Sequence, residues 1–139
     1  GSPSAEYMTL VNQLKLHNIH FVSFKTPKDL QNYSGAADIY VLPTREDIWG
    51  LVINEAMAYG LPVITTDNCL AGLELVEDGK NGYIVETDNT EQLSKCINKL
   101  VLDKVLRAKM GENNKLKMQD YTIEKMALSH IDFFQKVIG

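Results

Sequence analysis

Residues 39–66 read IYVLPTREDIWGLVINEAMAYGLPVITT, and this stretch decides the fold class. Its two ends, residues 39–43 and 62–66, are almost continuously apolar, which is typical of strands buried on both faces of a parallel sheet. Residues 51–59 between them predict a helix, which the following glycine and proline end. A strand, a helix and a second strand in this order predict a right-handed βαβ unit.

The same alternation continues on both sides of this unit. Further apolar runs predict strands at residues 19–24 and 82–86. Helices are predicted at residues 4–16, at residues 73–77 and from near Thr122 to the chain end. Two more helices begin at predicted caps. Thr26, followed by Pro27, begins a helix that ends at about Gly35, and Asp88 begins one that runs through Val101. Gly111 and the polar residues 112–114 predict a break in the helical stretch before the last helix. The expected fold is therefore α/β, a Rossmann-like parallel sheet flanked by helices.

The last predicted helix carries a wide apolar stripe. Its members recur at helical spacing and are Ile123, Met126, Ala127, His130, Phe134 and Val137. Two interpretations fit this pattern: the stripe packs on its own domain, or it docks against a partner domain. The chain also begins directly at a helix and is short for a six-stranded doubly wound domain. We therefore expect a domain truncated at its N-terminus, with a partner domain absent.

Composition disfavours several classes of protein. The 139 residues suit one domain, and 45% apolar with 23% charged residues suits a packed core. A net charge of −4 with only two arginines disfavours a basic face for nucleic acid. Cys69 and Cys96 do not form a disulfide framework. No apolar run approaches the roughly 20 residues that span a bilayer. The sequence also lacks a metal-ligating His/Cys cluster, a dinucleotide-binding glycine motif and a P-loop.

The loop and helix start after residue 43 predict an anion site. Three backbone amides would lack a helical partner there, those of Gly50, Leu51 and Val52. The helix dipole favours negative charge at the same place, which suits a phosphate. Asp47 and Glu55 flank it and can accept hydrogen bonds from hydroxyl groups if the anion carries a sugar. Alternatively, Glu46 and Asp47 only interact favourably with the helix dipole, and the spacing leaves both interpretations open.

A set of linked motifs runs through the chain in order. Trp49-Gly50-Leu51 is an aromatic-Gly-Leu step, and Glu55-Ala56-Met57-Ala58 follows it, then Gly60 and Pro62-Val63. Residues 37–43 (ADIYVLP) precede these motifs, and residues 74–85 (ELVEDGKNGYIV) come after them. Together they resemble the signature of retaining GT-B glycosyltransferases of family 4, in which seven residues separate an acid from a glutamate. The resemblance covers nearly the whole chain.

The resemblance implies a role for each candidate site residue. Asp47 keeps the seven-residue gap to Glu55, so it would be the catalytic carboxylate that contacts the donor sugar. Glu46 lies one position too far and is the alternative. The donor-binding set would be Trp49, Gly50, Leu51, Val52 and Glu55, with backbone amides holding the diphosphate and Glu55 the ribose. Weaker support points to Phe24, Lys25 and Thr26 as contacts of the nucleotide base.

The resemblance also implies an activity for the full-length protein. The chain would be the C-terminal, nucleotide-sugar-binding domain of a retaining hexosyltransferase, with the acceptor domain absent. That enzyme would transfer a sugar from a nucleotide-diphosphate sugar to a growing saccharide, in bacterial polysaccharide synthesis, and the isolated chain would be inactive. Its partners would be the donor and a saccharide or lipid-linked acceptor, with no metal, other cofactor or nucleic acid. The enzyme would be cytoplasmic and peripheral at the inner face of the membrane.

Two other classes of function stay open at this point. A GT-B-like nucleotide-sugar epimerase shares the fold and a phosphate site. A non-enzymatic α/β binding module is the other alternative. Its receiver form is disfavoured, because Asp38 lies at the start of its strand and not at the carboxyl end.

Overall fold

The computed structural model describes residues 4–138, and the chain divides into two units, residues 1–35 and 36–139. The first unit contains helix α1, Ala5–Gln13, and helix α2, Pro27–Ala36, which extends one residue past its boundary. Thr26 caps α2 as predicted: its Oγ1 accepts from the Asp29 amide at 3.3 Å and donates to Asp29 Oδ2 at 2.8 Å.

The predicted strand at residues 19–24 does not form. The structure has no strand within residues 4–35, and the side chains of Phe21, Val22 and Phe24 are exposed. A strand requires a hydrogen-bonded neighbour. An apolar run signals burial, but it does not supply that neighbour, and this prediction is wrong for that reason.

The second unit carries the sheet. Its strands are β1, Tyr40–Leu42, β2, Val63–Thr66, and β3, Gly82–Val85. Its helices are α3, Leu51–Ala58, α4, Leu70–Leu75, α5, Thr90–Leu102, α6, Lys104–Met118, and α7, Ile123–Ile138. The strands are parallel in the order β1-β2-β3. The predicted α/β class and the three strands of this unit are confirmed.

Alternating side chains divide the sheet between two apolar layers. Val63 belongs to a cluster with Ile53 and Met57 of α3, whereas its neighbour Ile64 belongs to a second cluster with Leu100 of α5. Successive strand residues point to opposite faces, so continuous apolar strands require helices on both sides. The result is a three-layer arrangement that leaves the carboxyl ends of the strands open to the loops that follow them.

Several predicted helix boundaries are wrong, including the start of α4, which lies at Leu70 and not at residue 73, and the end of α1, which lies at Gln13 and not at residue 16. Helix α4 ends at Leu75, not at residue 77, because the Asn81 side chain accepts from the Glu77 amide at 2.7 Å and donates to the Leu75 carbonyl at 3.1 Å. Asp88 does not cap α5, because its φ of 62° places it in the left-handed region. Asn89 is the cap instead, and its side chain accepts from the Gln92 amide at 2.9 Å.

The predicted break at Gly111 and residues 112–114 is also wrong, since α6 runs through them. A Cβ at Gly111 would lie 2.2 Å from the Gly60 carbonyl oxygen, so the glycine allows α6 to approach the chain at that point. Asn114 is fully buried and donates to the carbonyls of Leu61 at 2.6 Å and Asn81 at 2.9 Å. These residues are packing elements and not helix breakers.

Helix α7 presents its apolar stripe to solvent. None of its described residues is buried, and Ile123 and Val137 are 77% and 65% exposed. The interpretation that the stripe packs on its own domain is therefore wrong, and docking against a partner domain stays a prediction. Within residues 4–138, no helix has the length and apolar character needed to cross a membrane.

Candidate functional site

The loop between β1 and α3 is held by side chains at its base. Thr66, at the end of β2, donates from Oγ1 to the Thr44 carbonyl at 2.6 Å. Thr44 in turn donates from its own Oγ1 to the Glu46 carbonyl at 2.8 Å. These bonds satisfy backbone groups at the point where β1 ends, and they fix the loop before it reaches the acidic residues.

Asp47 is fixed by the neighbouring loop after β2. Its amide donates to the Asn68 carbonyl at 3.1 Å, and its carbonyl accepts from the Leu70 amide at 3.1 Å. Its carboxylate turns toward the start of α3, because Asp47 Oδ2 would lie 3.2 Å from a Cβ placed on Gly50. The side chain of Glu46 is exposed. Asp47, with the seven-residue gap, is therefore the acid that faces the helix start.

Two of the three predicted amides are unpaired at the start of α3. Within residues 4–138, the amides of Gly50 and Val52 have no hydrogen-bond partner. The Leu51 amide is different, since it donates to the Trp49 carbonyl at 3.0 Å in a tight turn. The prediction of a free Leu51 amide is wrong for that reason. The Gly50 and Val52 donors remain, together with the positive end of the helix dipole.

The carboxylates of Glu55 and Asp47 both affect the pKa of Tyr40. Burial raises the pKa of Tyr40, and the nearby carboxylates of Glu55 and then Asp47 raise it further. Tyr40 belongs to β1 and packs against the apolar cluster under α3. The phenol therefore stays protonated over the physiological range. The two acids of the motif lie within electrostatic reach of a single point at the edge of the sheet.

A cavity of about 490 Å³ opens beside Asp47. One wall is the loop after β1, residues 45–48, and the other wall comprises Asp67, Asn68, Leu70 and Leu73. Asp67 is held by Thr87, whose amide and hydroxyl donate to Asp67 Oδ1 at 2.9 and 2.6 Å. These hydrogen bonds lower the pKa of Asp67. The cavity lies beyond the carboxyl ends of the strands, where open α/β sheets bind their ligands.

Of the predicted site residues, Glu46 and Asp47 line this cavity, whereas Gly50, Leu51, Val52 and Glu55 do not. Phe24, Lys25 and Thr26 belong to the first unit, and their contact with a nucleotide base stays a prediction. The Trp49 side chain lines a different cavity, shared with the start of α7. Among the described residues, no three histidine, cysteine, aspartate or glutamate side chains are grouped so that they could hold a metal ion.

Sequence reasoning missed the second wall of the cavity. Asp67 and Asn68 directly follow a buried strand, and this position is a recognisable signal in parallel sheets. Thr66 was recognisable only as the end of its strand. Its bond to Thr44 depends on how β1 and β2 align, which the sequence alone does not give.

Comparison with known proteins adds an independent line of support. The family model for glycosyl transferases group 1 matches residues 1–117. An uncharacterized glycosyltransferase of Haemophilus influenzae is 36% identical over 99 residues, which are 70% of this chain and 28% of that protein. The capsular polysaccharide biosynthesis glycosyltransferase CapM of Staphylococcus aureus is 31% identical, over 74% of this chain and 27% of its own length. The chain thus spans about a quarter of these relatives.

A solved structure extends the likeness to three dimensions. Anabaena Alr3699/HepE, in complex with UDP, superposes with a TM-score of 0.84 and 25% identity, over 94% of this chain and 36% of that one. The parallel sheet with helices on both faces is accordingly the C-terminal half of a GT-B fold. With the family model matching most of its length, the chain belongs to the group 1 glycosyl transferases.

Proposed function

We propose that this chain is the donor-binding domain of a retaining glycosyltransferase of family 4, which transfers a hexose from a UDP-sugar to a growing saccharide. The observation that carries the proposal is the arrangement around the start of α3. The Asp47 carboxylate faces Gly50, the Gly50 and Val52 amides are unpaired, and Glu55 stands one turn along the helix. Donors for phosphate and acceptors for hydroxyl groups thus share one edge of the sheet.

The chemistry of sugar transfer needs both kinds of group. As the bond from the anomeric carbon to the diphosphate breaks, positive charge develops on the sugar and negative charge on the leaving group. The Asp47 carboxylate stabilises the former, and the Gly50 and Val52 amides with the helix dipole stabilise the latter. Glu55 accepts hydrogen bonds from the ribose hydroxyls and orients the nucleotide. We keep Trp49 and Leu51 in the proposed donor-binding set because of the motif that they belong to, while the Trp49 side chain lines the cavity shared with the start of α7.

Uridine is the base that we propose, because HepE was solved with UDP and with UDP-glucose, and TarM of S. aureus with UDP. Phe24, Lys25 and Thr26 are the proposed contacts of this base. The acceptor is a saccharide or lipid-linked saccharide, which we assign to a domain outside this chain. Polysaccharide synthesis is the proposed setting, since CapM acts in capsular polysaccharide biosynthesis and another relative is a spore coat protein of Bacillus subtilis. Peripheral attachment at the inner membrane face, and catalysis without a metal or other cofactor, are parts of the same proposal.

Calorimetric titration of the chain with UDP, GDP, ADP and CDP tests the proposal. We expect saturable binding, tightest for UDP, and a loss of about tenfold or more in affinity for Glu55→Gln and Asp47→Asn. Glu112→Gln is the matched control, because Glu112 is an exposed glutamate on α6 that lies outside the site. Binding that survives Glu55→Gln and Asp47→Asn unchanged, or no binding of any nucleotide at millimolar concentration, would contradict the proposal.

A further inference from the structure

The cavity beside Asp47 is more acidic than a diphosphate site requires. Glu46, Asp47 and Asp67 all line it, against the single guanidinium of Arg45. Arg45 forms an ion pair with Asp88, its Nε lying 2.9 Å from Asp88 Oδ1. With three carboxylates against one guanidinium, the lining carries net negative charge.

Asp67 is held in place by Thr87 at the wall of the cavity. Both hydrogen bonds from Thr87 reach Oδ1, and the Asp67 backbone amide also stabilises the carboxylate. The same bonds stabilise the ionised form, so Asp67 carries its charge near neutral pH. An ionised carboxylate accepts hydrogen bonds and donates none, which suits a ligand with hydroxyl groups.

The backbone joins the two acidic walls into one frame. Asp47 and Cys69 form a parallel bridge, and the Asp47 backbone bonds to Asn68 and Leu70 on either side. Asp47 and Asp67 are thus positioned by the same hydrogen-bonded segment.

We propose that Asp67 is a specificity-determining residue of the donor site, and that the site takes an uncharged hexose and rejects a hexuronic acid. This inference rests on the proposed function, in which the Asp47 carboxylate contacts the donor sugar; because Asp47 also lines this cavity, the sugar would lie at the cavity mouth. A neutral hexose donates its hydroxyl hydrogens to Asp47 and Asp67 without repulsion. A hexuronic acid brings a carboxylate into a cavity with three carboxylates, where like charges repel.

The test compares UDP-glucose with UDP-glucuronate, which differ only at C6 of the sugar, and uses UDP itself as the reference. We expect the full chain to bind UDP-glucose about tenfold more tightly than UDP-glucuronate at low salt. Asp67→Asn keeps the oxygen that accepts from Thr87 and removes the charge. It should lower the ratio of the affinities for UDP-glucose and UDP-glucuronate by about threefold. Glu112→Gln, with the same change of charge on α6, should leave the ratio unchanged.

The outcomes separate the two proposals. If UDP binds but both sugars bind equally, or if Asp67→Asn leaves the ratio as it is, the inference about the sugar is overturned and the donor site stands. If neither UDP nor either UDP-sugar binds, the proposed function fails and the inference fails with it. Thermal melting of each variant excludes loss of folding as the cause.

Discussion

At the amino-terminal edge of the three-stranded sheet, polar groups are buried and bonded to the backbone, whereas at the carboxyl-terminal edge they surround an open cavity. At the first edge, Asn114 lies fully buried and donates to two carbonyls, while its Oδ1 has no partner among the described residues, and Gly111 lets α6 touch Gly60. At the second, Asp67 is exposed at the cavity wall, and the Gly50 amide has no partner among the described residues. The first edge serves stability, and the second leaves its hydrogen-bonding capacity to a ligand.

The largest effect is expected at the close approach on the amino-terminal edge. Gly111→Ala would place a Cβ 2.2 Å from the Gly60 carbonyl oxygen, and backbone cannot move aside as a flexible side chain does. We expect a loss of about 3 kcal/mol in the free energy of unfolding, measured by urea denaturation. Gly35→Ala is the control, because its Cβ meets nothing within 4 Å, and it should be neutral or stabilising. Equal changes in the free energy of unfolding of the two variants would contradict a role of Gly111 in the close approach of α6 to Gly60.

Two neighbouring asparagines give the next contrast. Asn114→Ala leaves the buried carbonyls of Leu61 and Asn81 without their donor, and we expect it to cost about 2 kcal/mol of stability. Asn113→Ala removes one exposed bond to the Lys80 carbonyl and should cost about 0.5 kcal/mol. Chemical denaturation of both variants measures the difference. The UDP affinity of each folded variant should equal that of the parent chain. A changed affinity would show that the amino-terminal edge also contributes to binding.

Gly50→Ala should show the opposite pattern, because it lowers the affinity for UDP and leaves the stability almost unchanged. Its backbone φ of −73° suits alanine, so we expect a change of less than about 0.5 kcal/mol in stability. The new Cβ would lie 3.2 Å from Asp47 Oδ2 and would crowd the approach to the helix start. Affinity for UDP should fall about fivefold by calorimetry, since glycine there allows close approach of a phosphate. Destabilisation without any loss of affinity would assign Gly50 to packing.

The smallest effect concerns the pH dependence of Asp67. Thr87→Val removes the hydroxyl donor, which is the main cause of the lowered pKa of Asp67. The pKa of Asp67 should therefore rise in the variant, as followed by NMR of the side-chain carboxyl carbon. A lowered native pKa adds stability above the unfolded pKa, and this is lost as pH falls through the native value. The variant should accordingly be less stable at neutral pH, and the two proteins should converge in acid. An unshifted pKa would show that the Thr87 amide alone holds Asp67.

The sheet was predictable because its strands combine apolar runs with turn signals at their ends. Residues 39–43, 62–66 and 82–86 each contain an observed strand. Residues 19–24 have the same apolar character and form no strand, since pairing depends on a partner that local sequence does not specify. The predictions that Asp88 caps a helix and that Gly111 breaks one were wrong for a related reason. A good cap residue can adopt a left-handed backbone while its neighbour caps the helix, and a predicted helix breaker can instead allow a close helix contact.

The candidate site divides in the same way. Asp47, Gly50 and Glu55 were predictable because they share one short segment, and a helix start fixes their relative positions. Asp67 lies 20 residues from Asp47 in the chain and reaches the cavity only through the alignment of β1 with β2. The free amide predicted at Leu51 failed because the turn at Trp49 engages it. Local chemistry could be anticipated, whereas the contacts between loops required the fold.

The most direct test of the central claim is a titration of the chain with UDP, followed by the backbone amide chemical shifts in NMR. We expect saturable chemical-shift changes at the Gly50 and Val52 amides and a smaller change at Leu51. All three changes should be lost in Glu55→Gln. Amides at the opposite edge, such as Asn81 and Gly111, should not move. Saturable shifts centred on that opposite edge, or none at the start of α3, would contradict the assignment of the donor site to the carboxyl-terminal edge of the sheet.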